Sequence, residues 1–353
     1  MAIDMAISFS KVYDMFILCL DEPGTWASIA KQRGIPVYSL NRRPGIDWKI
    51  PGKLKAFAKK NRIDLFHAHQ YTPWFYAVLS RIIYPRVKLL FQEHGRHYPE
   101  IKKTKRKLIN RSIFQHMTAA CTAVSKDIKH RLVFYEGIAP IKIKTIYNGV
   151  HPINQCSLSK LQGFREKFNF KSTDVVMGTI GRMDPIKNLP LFLEGFKGLT
   201  QKYSNLKGLI VGDGPLMPFI KTRIKQLGLE HHIVLTGFRS DATLLVQMMD
   251  IFTLTSFSEG TSMALLEAMA CGIPAIVTDV GGNPEIVEDQ KTGWVVPSND
   301  LNGLKSALKD AISNPEKRIA MGKAAKKRYK TQFTFEIMLK SYQKLYGNIL
   351  ESQ

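Results

Sequence analysis

The chain has 353 residues, 44% of them apolar, with 51 Lys and Arg against 29 Asp and Glu for a net charge of +22. That length predicts two domains, and the absence of any uncharged apolar run of 18 residues argues against a membrane span. The four cysteines, Cys19, Cys121, Cys156 and Cys271, show no metal-ligand spacing, Met1–Ile7 lacks signal-peptide features, and the expected setting is a reducing cytoplasm.

From the start, Met1, Met5 and Phe9 fall on one face of a short amphipathic helix, which runs into an apolar strand over 14–20. A helix through Trp26 and Ile29 follows, then a strand over 35–40, a helix near 52–60, a strand over 64–68 and a helix over 73–83. The alternation continues with a strand over 87–92, a basic helix over about 101–117, a strand over 118–124, a helix over 125–135 and a strand over 143–147. Strands and helices alternating at this spacing predict a doubly wound parallel sheet. Turn chemistry at Asn148-Gly-Val-His-Pro-Ile-Asn154 interrupts the rhythm and sets the expected boundary near 150.

The pattern then restarts with a strand over 174–180, a helix from Asn188, a strand over 206–211, a helix over 215–227, and strands over 233–236 and 250–254 with a short helix between them. A helix opens near Ser262 and stops at Gly272-Ile-Pro274, followed by a strand over 275–278, the loop Val280–Pro284 and a strand over 293–297. Helices over 301–313, 315–329 and 333–350 complete the chain. The predicted architecture is α/β: two Rossmann-like domains, 1–150 and 151–332, with a C-terminal helical segment, 333–353. Ligands of such sheets bind beyond the carboxyl ends of the strands, here in a cleft that both domains would face.

Ser256-Phe-Ser-Glu259-Gly-Thr-Ser-Met-Ala-Leu-Leu-Glu267 carries the sharpest chemical signal. The amides of Gly260, Thr261, Ser262 and Met263 lie at a helix mouth, where free N–H groups and the helix dipole favour an anion. Glu259 and Glu267 cannot hold phosphate, but each can accept paired hydrogen bonds from vicinal sugar hydroxyls. Phosphate flanked by hydroxyls suggests a nucleotide sugar. Gly181-Arg182 and Lys187 place a forked donor and a point charge at a neighbouring strand end, suited to a diphosphate. Gly212-Asp-Gly214-Pro215 is a tight strand-to-helix turn and a weak dinucleotide fingerprint, because Met217 stands where a third glycine would. No Asp-x-Asp pair is present to carry a divalent cation, so no metal and no cofactor are expected, and positive charge must come from Arg182, Lys187 and the helix mouth.

In the first half His67, His69, His94 and His97 cluster at predicted strand ends, His94 being the strongest candidate. The run from Lys102 to Arg111 is a basic cluster, read as a contact with an anionic membrane surface; a solvated face is the competing reading. No nucleic-acid-binding pattern accompanies it.

Together, Glu259–Glu267, Gly181-Arg182, Lys187 and Gly212–Pro215 resemble the retaining glycosyltransferases of family four, which have the GT-B fold. His67-Ala-His69-Gln-Tyr-Thr-Pro73, Glu93-His94-Gly95, Val124-Ser125 and Tyr147-Asn-Gly-Val150 extend the resemblance over most of the chain. It implies that Glu267 binds the ribose hydroxyls, Glu259 a donor-sugar hydroxyl, the Gly260–Met263 amides the sugar and diphosphate, and Arg182 and Lys187 the phosphates. Gly212 and Gly214 fall on the same donor side, and His94 matches a histidine that faces the donor sugar. It also implies that the last helix crosses back to the first domain, that a sugar moves from a nucleotide diphosphate to an acceptor hydroxyl, and that the acceptor is a carbohydrate or lipid-linked precursor of a surface polysaccharide such as lipopolysaccharide.

Chains of this family open with a strand, a glycine-rich loop and then a helix, whereas here the resemblance begins inside that helix. Roughly 20–30 residues would precede it by ordinary element lengths, and the expectation is a start upstream of Met1. Alternative readings are a truncated, inactive protein that docks on membranes, and a nucleotide-sugar epimerase of the same fold.

Overall fold

The computed structural model describes residues 1–95 and 99–351, so His97 lies outside the described residues. The chain divides into two compact units. Among the described residues the first holds 1–95, 100–146 and 339–351; the second holds Pro99 and runs from Tyr147 to Met338. The divisions fall at 146 and 338, whereas turn chemistry and helix pattern suggested 150 and 332.

The first unit opens with α1 (Ala2–Phe9), whose Met5, Ala6 and Phe9 are buried. Strands β1 (Ile17–Cys19) and β2 (Val37–Ser39), linked by α2 (Ala27–Gln32), form a two-stranded parallel sheet. Helix α3 (Ile50–Lys60) leads to β3 (Leu65–His69), and α4 (Tyr71–Ile83) to β4 (Lys88–Glu93). With β5 (Ala120–Ala123) and β6 (Ile143–Thr145) these strands make a second parallel sheet in the order β3-β4-β5-β6. Its core is aromatic. Trp74 stacks on Phe91 at 4.4 Å between centroids, while its indole N–H donates to Thr118 Oγ1 at 2.8 Å, so the ring is buried without an unmet donor.

The basic helix departs from expectation. Only α5 (Thr104–Ile109) is α-helical, and Asn110–Phe114 widens into a π-helical turn. Likewise α6 (Lys126–Arg131), capped by the Ser125 hydroxyl on the Ile128 amide, passes into a π-helical turn over Leu132–Glu136. Buried Glu136 ties the two wide turns together. It accepts from Asn110 Nδ2 and Arg106 Nε, both at 2.7 Å. Arg106 also lies 3.3 Å over the Tyr71 ring. Its charge is therefore committed inward, and it does not belong to the exposed cluster that the sequence suggested.

The second unit starts with α7 (Leu158–Lys167), a helix that the sequence reading missed; none of its residues is fully buried, so it offers little apolar periodicity. Strands β7 (Val175–Ile180), β8 (Leu206–Val211), β9 (Ile233–Leu235), β10 (Ile251–Leu254), β11 (Ala275–Thr278) and β12 (Gly293–Val296) form one parallel sheet. Between them run α8 (Leu189–Thr200), α9 (Met217–Gln226), α10 (Ala242–Val246), α11 (Met263–Cys271) and the short α12 (Asn283–Ile286), the last beginning inside the expected loop at Asn283. Helices α13 (Leu301–Ser313) and α14 (Pro315–Gln332) follow, and the terminal helix α15 (Phe335–Glu351) belongs to the first unit from Leu339 onward. The strand order is β12-β11-β10-β7-β8-β9. From β7 the chain winds outward through β8 and β9, and it returns to β10 on the other side of β7 before winding the opposite way. The switch point lies between β7 and β10, where such sheets leave a crevice at their carboxyl edge.

Candidate active site

Each predicted donor-side residue of the second unit follows one of three adjacent strands, β8, β7 and β10, and the loop after β11 packs beside them. After β7, Gly181 and Arg182 lead into the turn that carries Lys187. This turn is interlaced with the one after β8, because the Met183 amide donates to the Asp213 carbonyl at 2.8 Å and the Leu216 amide to the Met183 carbonyl at 3.0 Å. Gly212 and Gly214 have φ of +132° and +156°. A Cβ on Gly212 would overlap the Gly181 carbonyl oxygen, and one on Gly214 would collide with the Met183 backbone. The two glycines therefore pack backbone on backbone and bring the Arg182 turn against its neighbour.

After β10 the chain passes through buried Thr255 and Ser256 to Glu259. Thr255 donates its hydroxyl to the carbonyls of Lys187 and Asn188, which locks the two strand ends together. Across this junction Lys187 Nζ lies 2.6 Å from Glu259 Oε1, and the Ser256 hydroxyl donates to the same oxygen at 2.6 Å. The Glu259 side chain is only 9% exposed, so a charge-assisted pair fixes a carboxylate at the switch point. The loop after β11 closes against it. Gly281, at φ +55°, passes so near that a Cβ would overlap the Glu259 carbonyl oxygen, and the Gly282 amide donates to that oxygen at 3.2 Å.

Helix α11 begins where predicted. The Ser262 hydroxyl accepts from the Leu265 amide at 3.4 Å, and the helix ends on Gly272 in the left-handed conformation. The cap leaves the Met263 and Ala264 amides without an intrahelical acceptor, with Gly260 and Thr261 just ahead of them. Glu267 lies on the second turn. Burial alone raises its carboxyl above the usual range, and it has no hydrogen-bond partner among the described residues. A half-buried carboxylate without a donor is an acceptor still to be filled.

Arg182 stands apart. Its side chain is 70% exposed and makes only a loose 3.6 Å contact with Asp184, so it is the most solvated cation of the group. The sequence reading did not foresee the roles of Ser256 and Asp184. It also treated Asn148 chiefly as turn chemistry. In the structure Asn148 is buried beside the α11 entry, its amide directed at the Thr261 carbonyl at 3.5 Å and its Oδ1 without a partner. Gly149 is required for packing, since a Cβ there would overlap the Thr334 carbonyl.

His94 belongs to the first unit, at the end of β4. Its Nε2 lies 2.8 Å from His69 Nδ1, the rings stack 5.1 Å apart, and His69 stacks in turn on His67 at 4.2 Å. His67 Nδ1 meets the Tyr346 hydroxyl at 2.7 Å. Burial is the main reason that all three imidazoles stay neutral. It lowers His94 to about 4 and His67 to about 3, and His69 well below its ordinary value, with mutual repulsion adding to the effect on His67 and His69. The next residue after β3, Gln70, sits at φ +77°, a strained backbone beside the stack.

Among the described residues no group of three His, Cys, Asp or Glu could hold a metal ion, and no helix is long and apolar enough to cross a membrane.

Comparison with known proteins places this geometry. Residues 3–153 match the model described as Glycosyltransferase Family 4, and residues 162–328 match Glycosyl transferases group 1. The N-acetyl-alpha-D-glucosaminyl L-malate synthase of Bacillus anthracis is 26% identical, over 89% of this chain and 82% of its own. The UDP-Gal:alpha-D-GlcNAc-diphosphoundecaprenol alpha-1,3-galactosyltransferase of Escherichia coli is 28% identical, over 74% of this chain and 70% of its own. Among solved structures, Anabaena HepE in complex with UDP superposes with a TM-score of 0.87 at 21% identity, covering 98% of this chain and 96% of that one.

Proposed function

Because the chain belongs to the group 1, family-four glycosyltransferases and has their GT-B fold, we propose that it moves a sugar from a nucleotide diphosphate, UDP in preference, to an acceptor hydroxyl with retention at the anomeric carbon. The observation that carries the proposal is the grip at the switch point: Glu259 fixed by Lys187 and Ser256, next to a capped helix mouth whose Glu267 has no hydrogen-bond partner among the described residues. In this reading Glu267 receives the ribose hydroxyls and Glu259 a hydroxyl of the donor sugar. The diphosphate lies against the Gly260–Met263 amides, Lys187 and Arg182. The choice of UDP is supported by the UDP held in the HepE structure and the UDP-sugar named for the E. coli relative.

The bond from the anomeric carbon to the diphosphate oxygen breaks with its electron pair going to the diphosphate. The acceptor oxygen bonds on the same face of the sugar, and its proton passes to the departing phosphate oxygen. No protein nucleophile is needed. Glu259 is ill suited to be one, since its Oε1 already accepts two short hydrogen bonds. Stabilising the departing charge falls to Arg182, Lys187 and the helix mouth, without a divalent cation. We assign His94 to the reaction as a neutral imidazole. Incubation with a panel of nucleotide sugars, followed by NMR of the anomeric proton, tests the proposal. The expected outcome is turnover of a UDP-sugar, undiminished by EDTA, with the donor's anomeric configuration in the product; an inverted product contradicts the mechanism.

The acceptor in this proposal is a lipid-linked or surface-polysaccharide precursor, reached at the cytoplasmic face of a membrane. In support, Lys102, Lys103, Lys105 and Arg111 are exposed in the first unit, and so are Ile101, Leu108, Ile109, Ile113 and Phe134. Basic and apolar side chains mixed on one exposed segment suit the interface of an anionic bilayer. Changing the four cations together to Gln is expected to weaken binding to phosphatidylglycerol vesicles by about 4 kcal/mol, at roughly 1 kcal/mol per charge. Sedimentation with vesicles measures it, and unchanged binding would make the cluster a solvated face.

A further inference from the structure

Of the chain's four tryptophans, Trp74 and Trp294 are buried, whereas Trp26 is 63% and Trp48 71% exposed. Both exposed rings belong to the first unit and follow the carboxyl ends of the β1–β2 sheet. Trp26 ends the segment that joins β1 to α2, and Trp48 lies in the segment that joins β2 to α3, two residues after exposed Ile46. Single exposed aliphatic residues need no explanation, but large aromatic rings held in water at a sheet's carboxyl edge mark a surface built to meet a ligand.

The two segments are fastened to each other and to the core. Arg42 grips the Asp21 carboxylate with Nε and Nη2, both at 3.0 Å, and its amide donates to the Leu20 carbonyl at 2.8 Å. Buried Asp47 folds the second segment over itself by accepting the Arg43 and Lys49 amides at 3.1 and 3.0 Å. The Asp47 amide in turn donates to the Tyr76 hydroxyl at 2.9 Å. Tyr76 lies on the second turn of α4, the helix that leaves the carboxyl end of β3, and helical side chains lean toward the amino terminus. The Trp48 segment is thereby braced at the edge of the unit that carries His69 and His94. Ile46 and Trp48, on either side of Asp47, point outward from a backbone that is already ordered, so little entropy is lost when a ligand covers them.

We infer that Trp26 and Trp48 are stacking platforms for a neutral saccharide, the glycan part of the acceptor. The choice of a saccharide rests on the glycosyl-transfer reading; the platform itself rests on the two exposed rings. The C–H face of a pyranose carries slight positive charge and suits the negative face of an indole. Its hydroxyls find both donors and acceptors at the rim, where Arg42 and Asp21 are paired at the surface. Charge separates this surface from the basic segment at 102–111. In residues 20–26 and 40–49, Asp21, Glu22 and Asp47 balance Arg42, Arg43 and Lys49, so the two segments are neutral in a chain of net charge +22. A neutral aromatic surface fits a polyhydroxyl chain better than an anionic bilayer, which draws on an excess of cations.

The buried pair of tryptophans makes the test direct, because acrylamide reaches chiefly Trp26 and Trp48. Quenching of the intact chain is measured with maltotetraose, cellotetraose, galactotetraose and mannotetraose in the millimolar range, and with phosphatidylglycerol vesicles. Stacking covers one face of each ring, so quenching should fall about twofold with at least one of the four sugars. Trp48→Ala should weaken the protection of Trp26 about tenfold, and Trp48→Phe should recover most of it. Because stacking reads the C–H face rather than single hydroxyls, protection by none of the four sugars would overturn the inference. Protection by vesicles and not by sugars, or sugar protection of Trp26 unchanged in Trp48→Ala, would do the same. Calorimetry with UDP on the same protein separates the two readings: sugar protection without UDP binding supports the platform and counts against the donor site, and UDP binding without protection does the reverse.

Discussion

Glu259→Ala is expected to lower turnover by about 10²–10³-fold, equivalent to roughly 3–4 kcal/mol of transition-state stabilisation. Two effects act together. The donor sugar loses an acceptor that is fixed in place by Lys187 and Ser256 at 2.6 Å. Lys187 loses its carboxylate and is free to swing away from the position in which it would meet the departing diphosphate. The loss should fall mainly on kcat, since a group that matters most as charge develops contributes little to ground-state binding. Glu259→Gln keeps an oxygen for the Ser256 hydroxyl but not the ion pair, and should lie between the two. Thermal melts are the control. A variant that folds like the parent and keeps its kcat would remove Glu259 from the reaction.

Acid should unfold the first unit well before ordinary carboxylate titration explains it. His67, His69 and His94 are held neutral in the fold, with His94 lowered to about 4 and His67 to about 3, against an ordinary value of 6.5. Below pH 6.5 the unfolded chain takes up protons that the folded chain refuses, so stability is complete above that pH and falls as pH drops from 6.5 toward 4. A fully buried imidazole contributes about 1.4 kcal/mol per pH unit, and partial exposure of these rings tempers that to roughly half. Three such groups then cost about 4 kcal/mol over two pH units, a large fraction of a domain's usual stability. Urea melts between pH 7.5 and pH 4.5 measure the slope, and His67→Phe should flatten it by about a third. A midpoint that does not move across this range would contradict the neutral stack.

The sequence and the fold agree where chemistry is local. Apolar strands, the Ser262 cap and the Gly272 stop were legible because each depends on neighbours within a few residues. That the sheets are parallel followed from the alternation of strands with helices. The Lys187–Glu259 pair was not legible. Both residues were candidates, but 72 positions separate them, and only the reversal of winding between β7 and β10 brings them together. Arg106 shows the opposite failure. It reads as one charge in a basic run, yet a widened helical turn and the buried Glu136 turn it inward. Helix α7 was missed because it buries no complete stripe. Asn148 looked like a turn residue, and its partnerless buried oxygen beside α11 is a property of packing rather than of local sequence.

The central claim is that the mouth of α11 and Glu267 hold the nucleotide of a sugar donor. Calorimetric titration with UDP tests it most directly, on the parent chain and on Glu267→Gln. Losing the charged acceptor for the ribose hydroxyls should weaken UDP about tenfold to a hundredfold, or roughly 1.5–3 kcal/mol, while the fold is kept. Equal affinity for UDP in the two proteins would contradict the assignment.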